Sequence, residues 1–315
     1  MSTAGYDIVP YSEDRADQLL QFERGIVQGK RLQLEIIKDH FLDRARVFKH
    51  SHALVALSDG QEAIGSLIGA ETILEINGDQ IHAGFAFDAK VTTGSRKRGI
   101  GRQLAKELYR TFFEPTGLKQ NFMTVKKENT AVWMLLSKLL SKVWVYDFVY
   151  LTIPASSRLQ NTISENGGTV DFGVKLFEPD ELSRDYYREC AGGLGYLNSH
   201  KLYRLRIKKI SPVLKLSITL LRKLRPRKYG SAPHEGEILS FATLYGHTPA
   251  NIGGINTILE EIENNGIGQL LVCCRKGDAI YRALKKTAVN NYNYCIVTDF
   301  PIGANDHVYI DVRCL

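Results

Sequence analysis

The run Arg96-Lys97-Arg98-Gly99-Ile100-Gly101-Arg102 sets two glycines among four cations, a combination suited to holding a diphosphate. A glycine has no Cβ to keep an anion away from backbone amides. Where such a run opens a helix, the amides of the first turn lack intrahelical acceptors and stand at the positive end of the helix dipole. Arg96, Lys97, Arg98 and Arg102 supply charge around the same point. The dinucleotide fingerprint needs Gly-x-Gly-x-x-Gly with an acidic residue about twenty positions on, and the P-loop needs Gly-Lys-Ser/Thr; the run fits neither.

The flanking residues supply the elements that position it. From His82 to Val91, the residues Phe85, Phe87, Ala89 and Val91 alternate as one side of a strand, and Ile100, Leu104, Leu108 and Phe112 recur every four residues as the buried stripe of a helix. Upstream, the pattern predicts a strand over Tyr6 to Pro10, helices over Arg15 to Phe22 and Leu32 to Phe48, and strands over Ala53 to Leu57 and Ala63 to Ile76. Ser58-Asp59-Gly60 and Asn77-Gly78 are the turns between them. Downstream come a strand around Phe122 to Val125, a helix over Val132 to Leu140 and a strand over Lys142 to Ile153.

Arg96-x-x-Gly99-x-Gly101 between a strand and a helix resembles the Arg/Gln-x-x-Gly-x-Gly/Ala signature of the GCN5-related N-acetyltransferase (GNAT) superfamily. The Asn129-Thr130-Ala131 start of the next helix is similar to a second feature of that superfamily, and the resemblance runs over roughly residues 5 to 155. It implies an α/β fold of the GNAT acyl-CoA N-acyltransferase type, a mixed twisted sheet flanked by helices. It further implies that the loop from Arg96 through Lys97, Arg98, Gly99, Ile100 and Gly101 to Arg102 binds the pyrophosphate of acetyl-CoA or another acyl-CoA. Val91 would lie along the pantetheine arm, and Asn129 would face the same co-substrate. The implied activity is transfer of an acetyl or longer acyl group to an amine of a small molecule or sugar. The alternative is a catalytically inactive CoA-binding regulatory or interaction protein.

For catalysis the chain departs from that pattern. The superfamily's usual base positions fall on Phe85 and Phe87, and its usual tyrosine acid falls on Leu136. Asp88 is the first polar candidate for catalysis and His82 the second, with Glu71 and Tyr146 nearby. On a regular strand Asp88 points away from the base face, unless a bulge re-aims it. The plainer readings are a buried, hydrogen-bonded carboxylate for Asp88 and a surface residue for His82. Phe85 and Phe87 either floor a cleft for an apolar acceptor or long acyl chain, or pack as core under the sheet.

Residues 235–315 repeat part of this order, with strands over Glu237 to Tyr245, Gln269 to Cys274, Tyr294 to Thr298 and Val308 to Val312, and helices over Ile255 to Asn264 and Asp278 to Ala288. They resemble a truncated GNAT-like C-terminal lobe. Its counterpart loop, Ala250 to Gly254, carries no cation and is expected to bind no cofactor; the lobe would complete the sheet or wall the acceptor cleft. Three regions follow: 1–155 as the acetyl-CoA-binding domain, 156–234 as a basic connector, and 235–315 as the partial lobe.

The net charge of +7 sits in the connector, since Cys190 to His234 holds eleven cations and no acid, leaving −4 on the rest of the chain. Within it, Val213, Leu214, Ser217, Ile218, Leu221 and Leu224 form a helical stripe after Pro212, widened by Leu216 and Leu220. One reading packs this helix between two lobes. The other lays residues 204–228 on an anionic membrane surface or polyanion, and the scarcity of aromatics around the helix argues against nucleic acid. No stretch has the length and apolarity of a membrane span and the start lacks a signal-peptide pattern, so cytoplasmic residence is expected. The five cysteines show no metal-ligand or disulfide spacing, so no metal site is expected.

Overall fold

Apolar alternation in the first half of the chain builds a mixed sheet, seen in a computed structural model that describes residues 5–27, 29, 31–159, 171–179, 181, 183–224 and 234–315. Its first elements are β1 (Asp7–Pro10), α1 (Ala16–Arg24), β2 (Leu32–Ile37), β3 (Ser51–Ser58), β4 (Glu62–Ile76) and β5 (Asp79–Val91). Then follow α2 (Ile100–Leu108), β6 (Asn121–Lys126), α3 (Thr130–Leu139) and β7 (Trp144–Pro154). A π-turn over Tyr109–Phe113 extends α2, so the four-residue stripe continues to Phe112. The stripe residues Ile100, Leu104 and Leu108 pack on Leu54, Ala56, Ile64 and Leu67 of β3 and β4. The opposite sheet face carries an aromatic core that includes Phe41, Phe48, Phe85, Phe87, Phe122 and Phe148.

One segment departs from its sequence pattern. The helix expected over Leu32 to Phe48 does not form; β2 is followed by a run of turns through residue 50. Leu32, Leu34 and Ile36 fit a strand period as well as a helical one, and a distant partner strand decides between them. The turns still bury Phe41, Val47 and Phe48.

The second half contributes β8 (Phe172–Lys175), β9 (Tyr187–Glu189), β10 (Gly195–Leu197), α4 (Ser199–Leu202), β11 (Arg204–Ile210) and α5 (Pro212–Leu224). It continues with β12 (Ile238–Leu239), β13 (Phe241–Tyr245), α6 (Ile255–Asn264), β14 (Gln269–Cys274), α7 (Ala279–Leu284), β15 (Asn290–Thr298) and β16 (Val308–Asp311). Among the described residues, thirteen strands join in one sheet whose main path runs β1-β3-β4-β5-β6-β15-β7-β14-β13-β10-β9. β15, from the C-terminal part, lies antiparallel between β6 and β7 of the first lobe. β16 continues the edge of β4 beyond β3 and carries β8. The smaller sheet is β12-β11-β2, which gives β2 its partner.

Residues 156–234 thus supply strands to both sheets. The reading of α5 as a helix packed on both sides is overturned: Leu214 and Ile218 are half-buried, but Val213, Leu216, Leu220 and Leu224 are exposed. The side chains of Leu221 and Arg222 and the whole of 225–233 lie outside the described residues.

Candidate acyl-CoA site

The site is opened by a strand pair that separates. β5 and β6 run parallel and are in register only at Gly84–Asn121 and Phe85–Phe122. Gly84 permits that approach, because a Cβ there would stand 2.3 Å from Asn121 Oδ1 and 2.7 Å from the Phe113 ring. Beyond Phe85, the edge of β5 toward β6 has no strand partner among the described residues, so its backbone groups face a gap.

The rims of that gap are the C-terminal ends of the two strands. From Val91, at the end of β5, the chain passes through a 3-10 turn at Thr93–Ser95 into the basic loop. Lys97 and Gly99 take left-handed backbone, with φ of 67° and 85°, and Gly99 caps α2. A Cβ on Gly99 would meet no atom within 4 Å, so the space over the first turn of α2 is open. Arg96, Lys97, Arg98 and Arg102 are exposed around it, while Ile100 is buried and anchors the turn in the core. Gly101 faces α3, where Leu135 would lie 3.6 Å from a Cβ. On the β6 side, the Asn129 side chain caps α3 by accepting from Val132 N at 3.4 Å. The fold thus brings Val91, the loop 96–102 and Asn129 to one end of the sheet. This donor set, first-turn amides with exposed cations around open space, suits a diphosphate.

Behind the gap β5 carries a bulge. Ser66 pairs with Lys90 and Ile68 with Phe87, so Asp88 and Ala89 together oppose Leu67, and Asp88 has φ 51°. The bulge turns the Asp88 carboxylate into a buried cluster of charges. Oδ2 accepts from Lys38 Nζ at 2.7 Å and Oδ1 from Arg44 Nη1 at 2.7 Å. Lys38 also donates to Glu23 Oε1 at 3.1 Å and to the Phe41 carbonyl at 3.2 Å, and Lys90 donates to Glu23 as well. Burial alone would raise the Asp88 pKa, but the Lys38, Arg44 and Lys90 charges outweigh it and hold the carboxyl well below the usual range. Burial works to lower Lys38 too, and Asp88 and Glu23 outweigh it, so Lys38 is raised. For Lys90 burial wins and its pKa is lowered.

Arg44 links this cluster to a packed group of tyrosines. Its guanidinium lies 5.2 Å from the ring centroids of both Phe87 and Tyr203, and Nη2 donates to the Leu315 carbonyl at 3.2 Å. Tyr150 and Tyr294 meet edge to face with centroids 4.6 Å apart, and Tyr150 pairs across the sheet with Cys273. Burial pushes the phenols of Tyr150, Tyr203 and Tyr294 up, so each stays protonated as a donor. A cavity of ≈ 290 Å³ lies further along, where Lys127, Asp147, Asp171, Arg275 and Asn293 meet.

The other sequence-derived candidates are spread apart. His82 lies opposite Ile73, six residues before Asp88, about 20 Å along a strand. It is 60% exposed and sits 3.9 Å from Glu71. Tyr146 is buried, its hydroxyl bonded to the carbonyls of Asp171 and Asp306 at 2.7 and 2.9 Å. Phe85 and Phe87 are stacked 5.1 Å apart and packed against Phe48, with Phe122 tilted against Phe85. Both are buried, as the core reading requires. Leu136 packs with Val125 and Cys295. Lys38 and Arg44 escaped sequence reading because they lie in the segment read as helix, where nothing pointed them at Asp88. The tyrosines escaped because Tyr150 sits on β7, Tyr203 between α4 and β11, and Tyr294 on β15.

No family model and no curated protein sequence matches the chain. Solved structures do match it. Saccharomyces cerevisiae N-myristoyltransferase with bound myristoyl-CoA aligns with a TM-score of 0.58 at 9% identity, over 96% of this chain and 85% of that one. A second structure of the same yeast enzyme with myristoyl-CoA gives a TM-score of 0.60 at 8% identity, over 96% and 81%. The GCN5-related glucosamine N-acetyltransferase region of a fungal multi-domain GH3 β-N-acetylglucosaminidase gives 0.50 at 10% identity, over 95% of this chain and 38% of that one. At such identities the likeness is one of fold. The chain has a GNAT-type mixed α/β fold. Because the match to N-myristoyltransferase extends over nearly the whole chain, it covers the C-terminal part as well as the signature lobe.

Proposed function

We propose that the protein is an acyl-CoA-dependent N-acyltransferase that moves an acetyl or longer acyl group from the CoA thioester to an amine on a small molecule or sugar. The observation that carries this reading is the gap between β5 and β6 with the glycine-rich basic loop at its mouth. In this reading the amides of Ile100, Gly101 and Arg102, with Arg96, Lys97 and Arg98, hold the pyrophosphate. Val91 and the free edge of β5 guide the pantetheine, with Asn129 on the far rim.

The acceptor approaches from the side of Tyr150, Tyr203, Tyr294 and Arg44. Its nitrogen attacks the thioester carbonyl, the new C–N bond replaces the C–S bond, and the departing CoA thiolate takes up, through solvent, the proton that the amine gives up. Asp88 lies beside this point, but its pKa makes it a poor proton acceptor near neutral pH. Its role is to hold Lys38 and Arg44, and the acceptor arrives as the free amine. The second reading, a CoA-binding protein without chemistry, rests on Phe85, Phe87 and Leu136 at the positions where an acid or base is expected.

The test is calorimetric titration with acetyl-CoA and with myristoyl-CoA, comparing wild type with Gly99→Glu. Loss of binding in the variant would support the site, and the affinity order would choose the acyl group for an acceptor screen by thiol release. Thiol release stimulated by an amine supports the enzyme; binding without release under any acceptor supports the second reading. Absence of binding by both ligands would overturn the site.

A further inference from the structure

The helix α5 turns two apolar faces in different directions, and only one of them meets the protein. Leu214 and Ile218 are half-buried against the body. Val213, Leu216, Leu220 and Leu224 are 73%, 73%, 56% and 68% exposed. At 100° per residue these four fall within an arc of about 80°, centred about 130° away from Leu214 and Ile218. A contiguous row of exposed leucines on a folded chain marks a contact surface.

The charges around the row select its partner. Lys215 and Lys223 on α5, and Lys208 and Lys209 at the end of β11, are all exposed. Lys215 reaches Glu235 at 3.6 Å and Lys208 reaches Glu35 at 3.5 Å, whereas among the described residues no carboxylate lies within ion-pair distance of Lys209 or Lys223. The chain from Cys190 to His234 contains no acidic residue at all. Apolar side chains on the same helix as Lys223, which makes no close ion pair among the described residues, match the two components of an anionic bilayer surface: acyl tails for the leucines and headgroup phosphates for the cations. A nucleic acid would satisfy the lysines and leave four apolar side chains in water.

We propose that α5 is an interfacial helix that docks the protein on an anionic lipid bilayer through Val213, Leu216, Leu220 and Leu224, with Lys209 and Lys223 engaging lipid phosphates. The attachment has a geometric consequence. α5 follows the end of β11 whose other end begins beside Tyr203, so docking sets the Arg44–Tyr203 contact about 20–25 Å from the helix, the length of a seven-residue strand.

Sedimentation with vesicles tests this, using phosphatidylcholine alone and phosphatidylcholine mixed with phosphatidylglycerol. Wild type is expected to sediment with the mixed vesicles at low salt, to be released as salt rises, and to stay in solution with phosphatidylcholine alone. Leu216→Asp combined with Leu220→Asp should abolish sedimentation. Lys223→Glu should weaken it about fivefold or more. All three positions are solvent-exposed, so circular dichroism and thermal melting of the variants should match wild type. Wild type left in the supernatant with the mixed vesicles would overturn the proposal, as would equal sedimentation of the double variant. A dimer in sedimentation velocity that the double variant abolishes, without vesicle binding, would assign the face to a second copy instead. None of these outcomes depends on acyl-CoA binding.

Discussion

Arg44 donates to Asp88 at 2.7 Å across 44 residues of chain, and this ion pair ties the turns after β2 to the bulge in β5. Both partners are largely withdrawn from water: the Asp88 side chain is 5% exposed and that of Arg44 17%. Removing one partner leaves a buried charge without compensation.

Asp88→Asn is therefore expected to destabilise the fold by about 3–5 kcal/mol, measured by chemical denaturation at neutral pH. The folded pKa of Asp88 lies below its unfolded value, so its contribution is complete above roughly pH 4 and is lost as pH falls through the folded value. A variant as stable as wild type but inactive in acyl transfer would identify Asp88 as a base instead.

The two glycines of the signature should respond oppositely to alanine. Gly99 has φ 85°, so Gly99→Ala is expected to cost about 1–2 kcal/mol for forcing a Cβ into left-handed backbone. Gly101 lies inside α2 with a Cβ position in ordinary contact with Leu135, so Gly101→Ala should be neutral or stabilising by about 0.5–1 kcal/mol. Thermal melting of the two variants checks the contrast, and equal shifts would mean that the loop does not take this conformation.

His247 supplies a pH dependence on the acid side. It is 2% exposed, and burial pushes its pKa from 6.5 down to about 4. The unfolded chain binds the proton more tightly, so the contribution is complete above pH 6.5 and is lost as pH falls toward 4, roughly 3 kcal/mol in all. Denaturation at pH 7 and pH 5 should show about 2 kcal/mol of this loss in wild type and a shallower one in His247→Gln. Burial also lowers His52 and His200, so both add to the loss on the acid side.

Phe85 is completely buried, so Phe85→Ala is expected to cost about 3–5 kcal/mol in stability. Acyl chain-length preference, read from competition between acetyl-CoA and myristoyl-CoA, should not change in Phe85→Leu. A changed preference with little loss of stability would return Phe85 to the cleft wall.

Local patterning made much of the scaffold legible. The Ile100-Leu104-Leu108 stripe, the Asn77-Gly78 turn and the strand ending at Val91 rest on periodicity and turn chemistry within a few residues, and all three elements form as read. The helices starting at Thr130 and Ile255 follow the same logic. The stretch Leu32 to Phe48 did not yield, because its pattern satisfied two periods and the partner that chose between them, β11, lies some 170 residues away.

The amino-acid sequence by itself determined where the strand before the glycine-rich loop ends and the helix after it begins, and that cations surround two glycines at that helix start, since these depend on neighbours along the chain. Only the tertiary structure decided that β15 enters the first lobe's sheet, that a bulge turns Asp88 onto Lys38 and Arg44, and that one face of α5 stays in water. Those outcomes depend on pairings between residues far apart in the chain, where burial and charge compensation select among arrangements that local patterning leaves equal.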